Sequence, residues 1–175
     1  MNTKISFWLI PSAAYQPFFQ EMIKSLAQAH NAPRFEPHVT IYSGDYRADE
    51  SVDEVIETAT KNISGFMLDI DQVGYTDLYT KTLFVQFHSS AILTQISETL
   101  HHNSAKPSNY VLNPHLSLIY QHLDQTVQKK LATELVIPYS QVFFDEVRAI
   151  STPEPVRSGE DVEKWQTLSV RKLVS

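Results

Sequence analysis

The chain has 175 residues, 42% of them hydrophobic and 19% charged, with a formal net charge of -6; this suits one folded domain and excludes a disordered chain. It carries no Lys/Arg run, so a long nucleic acid, which needs a basic stripe to neutralise its phosphates, is excluded as the expected partner. There is no cysteine, which removes disulfide scaffolds, thiolate zinc sites and cysteine nucleophiles.

The opening apolar run stops at Pro11, too short for a signal peptide, and nothing approaches the ~20 apolar residues of a membrane span. The expectation is a cytoplasmic, monomeric protein acting on a small molecule. Residues 5–10, rich in β-branched and aromatic types and closed by Pro11, predict a strand. Ser12 stands where it could cap the next helix, in which Phe18, Phe19, Met22, Ile23 and Leu26 recur at helical spacing. A loop over 31–37 leads into a short strand, 38–42. Ser51 and Glu54 form a capping box that opens a second helix, striped by Val52, Val55, Ile56, Ala59 and Ile63. Residues 66–75 alternate like a half-buried strand, and 82–87 form another. Ile92, Leu93, Ile96 and Leu100 line a third helix, closed by His101-His102 where cations suit the helix dipole. A strand over 115–120, a helix marked by Val127, Leu131 and Leu135, and strands over 142–151 and 166–173 complete the chain.

This order repeats. A shift of 77 residues lays strand 5–10 on 82–87, Pro37-His38 on Pro114-His115, Thr40 on Ser117, Phe66 on Phe143 and Val73 on Ile150. The constant offset predicts an internal duplication: two lobes about a pseudo-twofold, with a cleft between them.

The repeated unit carries the chemistry. In Pro37-His38-Val39-Thr40-Ile41 and Pro114-His115-Leu116-Ser117-Leu118, strand periodicity puts His and Thr or Ser on one face and the apolar pair on the other. The apolar pair anchors each strand in its core and leaves the polar pair facing the cleft. Two imidazoles that titrate near neutrality supply a base and an acid, and the two hydroxyls can donate to phosphate oxygens as charge builds there. A lone histidine on a strand is more often structural; two such units at matching points of a repeat point to a site. A zinc site would need a third ligand, and no Asp, Glu or Cys joins the pair.

With these motifs the sequence resembles the two-histidine phosphoesterase superfamily, and within it the cyclic phosphodiesterase branch. The resemblance rests on Ser6-Phe7-Trp8-Leu9-Ile10-Pro11, on the lead-in Pro33-Arg34-Phe35-Glu36 to the first motif, on Tyr120 five residues after His115, and on Trp165-Gln166-Thr167-Leu168-Ser169-Val170. It implies one α+β, bilobal, LigT-like domain over 1–175, with two antiparallel sheets flanking a central cleft and helices outside. It implies hydrolysis of ADP-ribose 1″,2″-cyclic phosphate and nucleoside 2′,3′-cyclic phosphates to 2′-phosphates, with no metal or cofactor. His38 and His115 become the acid–base pair, His115 as base and His38 as acid, and Thr40, Ser117 and Tyr120 the phosphate ligands. The offset puts Ser43 at the position equivalent to Tyr120.

Trp8 could stack on a substrate base at the cleft edge or be a core tryptophan. Arg34 and Lys81 could steer an anion or be solvated charges. Two other readings stay open: an enzyme acting on RNA 2′,3′-cyclic ends or joining 2′-5′ RNA, and a nucleotide-binding module without turnover.

Overall fold

Apolar alternation and helical stripes give seven strands and five helices within residues 3–174, which the computed structural model describes; Met1, Asn2 and Ser175, the ends of the domain expected over 1–175, lie outside it. The order is β1 (Thr3–Pro11), α1 (Gln16–His30), β2 (Val39–Tyr46), α2 (Val52–Thr60), β3 (Phe66–Tyr75), a 3-10 turn (Tyr79–Lys81), β4 (Leu83–Phe87), α3 (Ala91–His102), β5 (His115–Ile119), α4 (Gln125–Glu134), β6 (Gln141–Ser151), α5 (Gly159–Glu163) and β7 (Gln166–Lys172). Helix α2 starts as the capping box requires, Ser51 Oγ accepting from the Glu54 amide at 3.3 Å. Helix α1 does not start on Ser12. It begins after Tyr15 with Pro at its first turn, and Ser12 contributes only its carbonyl, which accepts the amides of Tyr15 and Gln16.

The named strands all pair antiparallel, as an α+β fold requires. The strands expected as two sheets run on into one seven-stranded sheet, ordered β1-β2-β5-β4-β3-β6-β7, and β6 also pairs β1. Six strands thus close a ring, with β7 outside on β6. The lobes meet at two seams. One is the single pair Val39–Leu116 between β2 and β5; the other joins 66–69 of β3 to 141–144 of β6. Under the 77-residue shift, β1, β2 and β3 fall on β4, β5 and β6; each of the two seams maps onto itself, and the other four neighbour relations in the ring exchange in pairs.

The same irregularity occurs in both motif strands. In β2, Phe7 pairs Tyr42 and Trp8 pairs Thr40, so Ile41 is left over. In β5, Ile119 pairs Leu83 and Ser117 pairs Phe84, so Leu118 is left over. These β-bulges lie 77 residues apart, each directly after the motif hydroxyl. A bulge puts two successive residues on one side of the strand. Val39, Ile41 and Tyr42 are accordingly all buried in the core, as are Leu116, Leu118 and Ile119. Ser97 of α3 donates to the Ile41 carbonyl at 2.6 Å. Phe19 of α1 and Leu93, Ile96 and Leu100 of α3 join the same core, each fully buried apolar side chain contributing about 1.5–3 kcal/mol. Among the described residues no helix is long and apolar enough to cross a membrane.

Candidate active site

His38 and His115 stand at the starts of β2 and β5, on the wall of a cavity of about 350 Å³ that Thr40, Ser117 and Tyr120 also line. The bulges explain the composition of that wall. Without the extra residue, a position five after the histidine would face the core; with it, Tyr120 joins His115 and Ser117, and Ser43 joins His38 and Thr40.

Both imidazoles are held in the same way. Nδ1 of His38 lies 2.7 Å from the Glu36 carbonyl oxygen, and Nδ1 of His115 lies 2.7 Å from that of Asn113. A carbonyl only accepts, so each Nδ1 carries the hydrogen and each Nε2 is left to titrate. The two anchoring peptides are fixed by different neighbours. Arg148 donates to Glu36 at 2.6 Å and also pairs with the buried Glu146. Gln86 donates to the Asn113 side chain and to the Pro114 carbonyl, both at 2.9 Å.

The environments of the rings differ. His38 is buried, stacked on Trp8 (3.7 Å between centroids, 12° between planes) and met edge-on by Trp165 at 5.9 Å. Burial pushes its pKa down to about 4, against the Glu36 carbonyl, which raises it; the nearby His115 lowers it further. Half-buried His115 packs edge-on against Phe84 at 5.6 Å. Its pKa is lowered by burial, raised by the Asn113 carbonyl and lowered again by the Lys81 charge. Phe84 has room because its cross-strand partner is Gly74, where a Cβ would fall 2.7 Å from the ring.

The three ligand candidates are not equivalent. Thr40 Oγ1 has no hydrogen-bond partner among the described residues, whereas Ser117 Oγ donates to the Thr80 carbonyl at 2.6 Å. Tyr120 is buried and stacked on Phe35 at 3.9 Å, and burial raises its phenol well above the usual value, so it stays a donor. Trp8 lines the cavity, and one face of its ring is stacked on the His38 imidazole. Lys81 lies beside His115, its Nζ 4.4 Å above the Phe84 ring. Arg34 lines a separate surface groove with His122 and Arg157. Among the described residues no three His, Cys, Asp or Glu side chains lie together as metal ligands would.

The profile of the family described as cyclic phosphodiesterase-like protein matches residues 1–173. The chain belongs to this family. It thereby falls among the two-histidine phosphoesterases. Cyclic phosphodiesterase of Arabidopsis thaliana is 26% identical over 131 residues, 74% of this chain and 71% of that protein. Among solved structures, E. coli LigT complexed with 3′-AMP superposes with a TM-score of 0.64 at 15% identity, covering 100% of both chains. TT0787 of Thermus thermophilus superposes with a TM-score of 0.64 at 10% identity, covering 97% of each chain.

This cyclic phosphodiesterase-like cleft holds residues that the motifs did not announce. Ser6, Tyr110 and Thr152 reach the cavity from β1, the loop before β5 and the segment after β6. Trp165 lines it too, and its buried Nε1–H has no partner among the described residues. An unpaired buried donor costs about 1–3 kcal/mol, so a group in the cavity that accepts from it is favoured. Trp165 was legible only as part of the closing strand; its place in front of β7, against Trp8 at 5.0 Å, is a tertiary fact.

Proposed function

We propose that this protein hydrolyses small cyclic phosphodiesters without a metal: nucleoside 2′,3′-cyclic phosphates to 2′-phosphates, and ADP-ribose 1″,2″-cyclic phosphate to its ring-opened monophosphate. The observation that carries this reading is the matched pair of imidazoles on one cavity, each tied through Nδ1 to a carbonyl two residues upstream and each followed by a hydroxyl at the second position.

In this reading water attacks phosphorus as His115 Nε2 takes its proton. The bond from phosphorus to the 3′ oxygen breaks, and His38 Nε2–H protonates the leaving oxygen. Lys81 disfavours a second positive charge on His115, which suits the base. The substrate's negative charge beside His38 opposes the burial that keeps the free imidazole neutral, and so supplies the imidazolium that the acid role needs. Thr40 and Tyr120 donate to the non-bridging oxygens. Ser117 joins them by turning its hydroxyl away from Thr80.

The test is phosphorus NMR of 2′,3′-cyclic AMP incubated with the protein in EDTA. The expected product is the 2′-phosphate, with loss of activity in His38→Ala and His115→Ala. Activity that vanishes with EDTA and returns with zinc or magnesium would refute the metal-free scheme; a dominant 3′-phosphate would reverse the orientation. One observation favours a second reading, cleavage at RNA ends. The groove with Arg34, His122 and Arg157 also contains Tyr79, which packs on Tyr120 at 6.2 Å. A short RNA ending in a 2′,3′-cyclic phosphate, turned over better than the mononucleotide, would select that reading.

A further inference from the structure

The two ends of the cavity differ where the repeat would make them alike. The shift that lays His38 on His115 lays Ser43 on Tyr120. The Tyr120 end is aromatic, built with Phe35 and Trp165. The Ser43 end is a cluster of hydroxyls: Ser6 Oγ lies 3.0 Å from Ser43 Oγ and 3.4 Å from Thr152 Oγ1, and all three residues line the cavity. They come from three separate places, β1, β2 and the segment after β6. Ser6 and Ser43 are a direct cross-strand pair, so the sheet itself holds them together.

Three hydroxyls offer three hydrogens and about six lone pairs, and their two mutual contacts use only two of the hydrogens. What remains both donates and accepts. A ligand that matches is one with a sugar hydroxyl, which does the same. A second phosphate does not match, because the carboxylate of Glu154 belongs to the same wall and the nearby Lys4 ammonium is already paired with it at 3.1 Å. That leaves no free cation at this end among the described residues that line the cavity.

We propose that Ser6, Ser43 and Thr152 form a sugar-hydroxyl subsite that takes the 5′ hydroxyl of a nucleoside substrate, with its ring oxygen as a further acceptor, and so fixes which ester oxygen of the cyclic phosphate faces His38. This rests on the phosphodiesterase reading for the identity of the substrate, and it supplies the asymmetry that two matched histidine motifs lack.

The experiment is an amide NMR titration of the full chain with a nucleoside 2′-monophosphate and, separately, with inorganic phosphate. The nucleotide should shift the amides of Ser6, Ser43 and Thr152, and phosphate alone should not. In Ser43→Ala and in the near-isosteric Thr152→Val, the ratio of nucleotide affinity to phosphate affinity should fall by roughly 5-fold per hydroxyl, the size of one neutral hydrogen bond. An unchanged ratio in both variants, or nucleotide shifts that bypass these three amides, overturns the subsite. Wild-type turnover of 2′,3′-cyclic AMP is measured alongside. Its absence counts against the phosphodiesterase reading alone, because the binding ratio is decided without turnover.

Discussion

Replacing His38 by glutamine removes a titrating group from a buried position while keeping a side chain that can donate to the Glu36 carbonyl. In the folded protein the ring titrates at about 4, whereas an exposed histidine titrates near 6.5. The unfolded chain therefore binds this proton first. Above pH 6.5 neither state is charged here, and the residue adds no pH dependence. As pH falls from 6.5 to 4 the unfolded chain gains the proton and the folded one does not, so stability drops, by about 3 kcal/mol at pH 4. Below pH 4 both states are protonated and this contribution levels off. Carboxylates titrate over part of the same range, but they do so in wild type and variant alike. Urea unfolding at pH 7 and pH 4, for both proteins, isolates the histidine: the wild type should lose about 3 kcal/mol more than His38→Gln between the two pH values. Parallel losses would refute the argument that burial against Trp8 holds His38 neutral.

The pH dependence of kcat/KM on 2′,3′-cyclic AMP should be a bell with its optimum below 6.5, because both free imidazoles have lowered pKa values and one must be charged while the other is neutral; an optimum above 7.5 contradicts this. His38→Ala and His115→Ala should each lose roughly 10²–10⁴-fold in kcat, measured in EDTA with the fold checked by circular dichroism. Thr40→Ala should cost more than Ser117→Ala, toward the low end of the ~10²–10³-fold worth of an oxyanion donor, because only the Ser117 hydrogen is already committed to a carbonyl; the opposite ranking in steady-state kinetics would show that the Thr80 contact is broken in the working state. Tyr120→Phe should lower kcat/KM by about 5-fold, one neutral hydrogen bond, and an unchanged value would make Tyr120 a packing residue alone.

The two histidine motifs were legible because strand alternation sorts His-x-Thr and His-x-Ser from their apolar partners without any knowledge of the fold. Four of the five helices were legible for the analogous reason, and the Ser51–Glu54 cap marked its boundary to the residue; α5, only five residues long, is too short to show a stripe. Helix α1 shows the limit: Ser12 has the right chemistry for a cap, but Pro in the first turn fixes the start after Tyr15. The closure of the strands into one ring was not legible, since it depends on β6 bonding β1 along one edge and dividing the other between β3 and β7. Nor was the local character of Trp8. Its sequence allows a core ring or a cleft ring, and only the register that pairs it with Thr40 sets it beside His38. Ser6 and Thr152 carry no signal, because a serine in a strand and a threonine beside a proline are ordinary; they mean something only when the fold brings their hydroxyls within 3.4 Å of each other.

The leftover residues Ile41 and Leu118 change what a motif spacing means. A sequence counts residues, but a strand counts sides, and each of these positions advances the first count without advancing the second. Deleting Leu118 together with its bulge would leave Tyr120 on the cavity wall, now four positions after the histidine. Keeping the bulge and inserting one more residue would turn the tyrosine into the core and its neighbour into the cleft. Alignment by the distance from histidine to tyrosine is therefore the wrong ruler for this wall; parity along the strand is the right one, and a chain with a different spacing can present the same three groups.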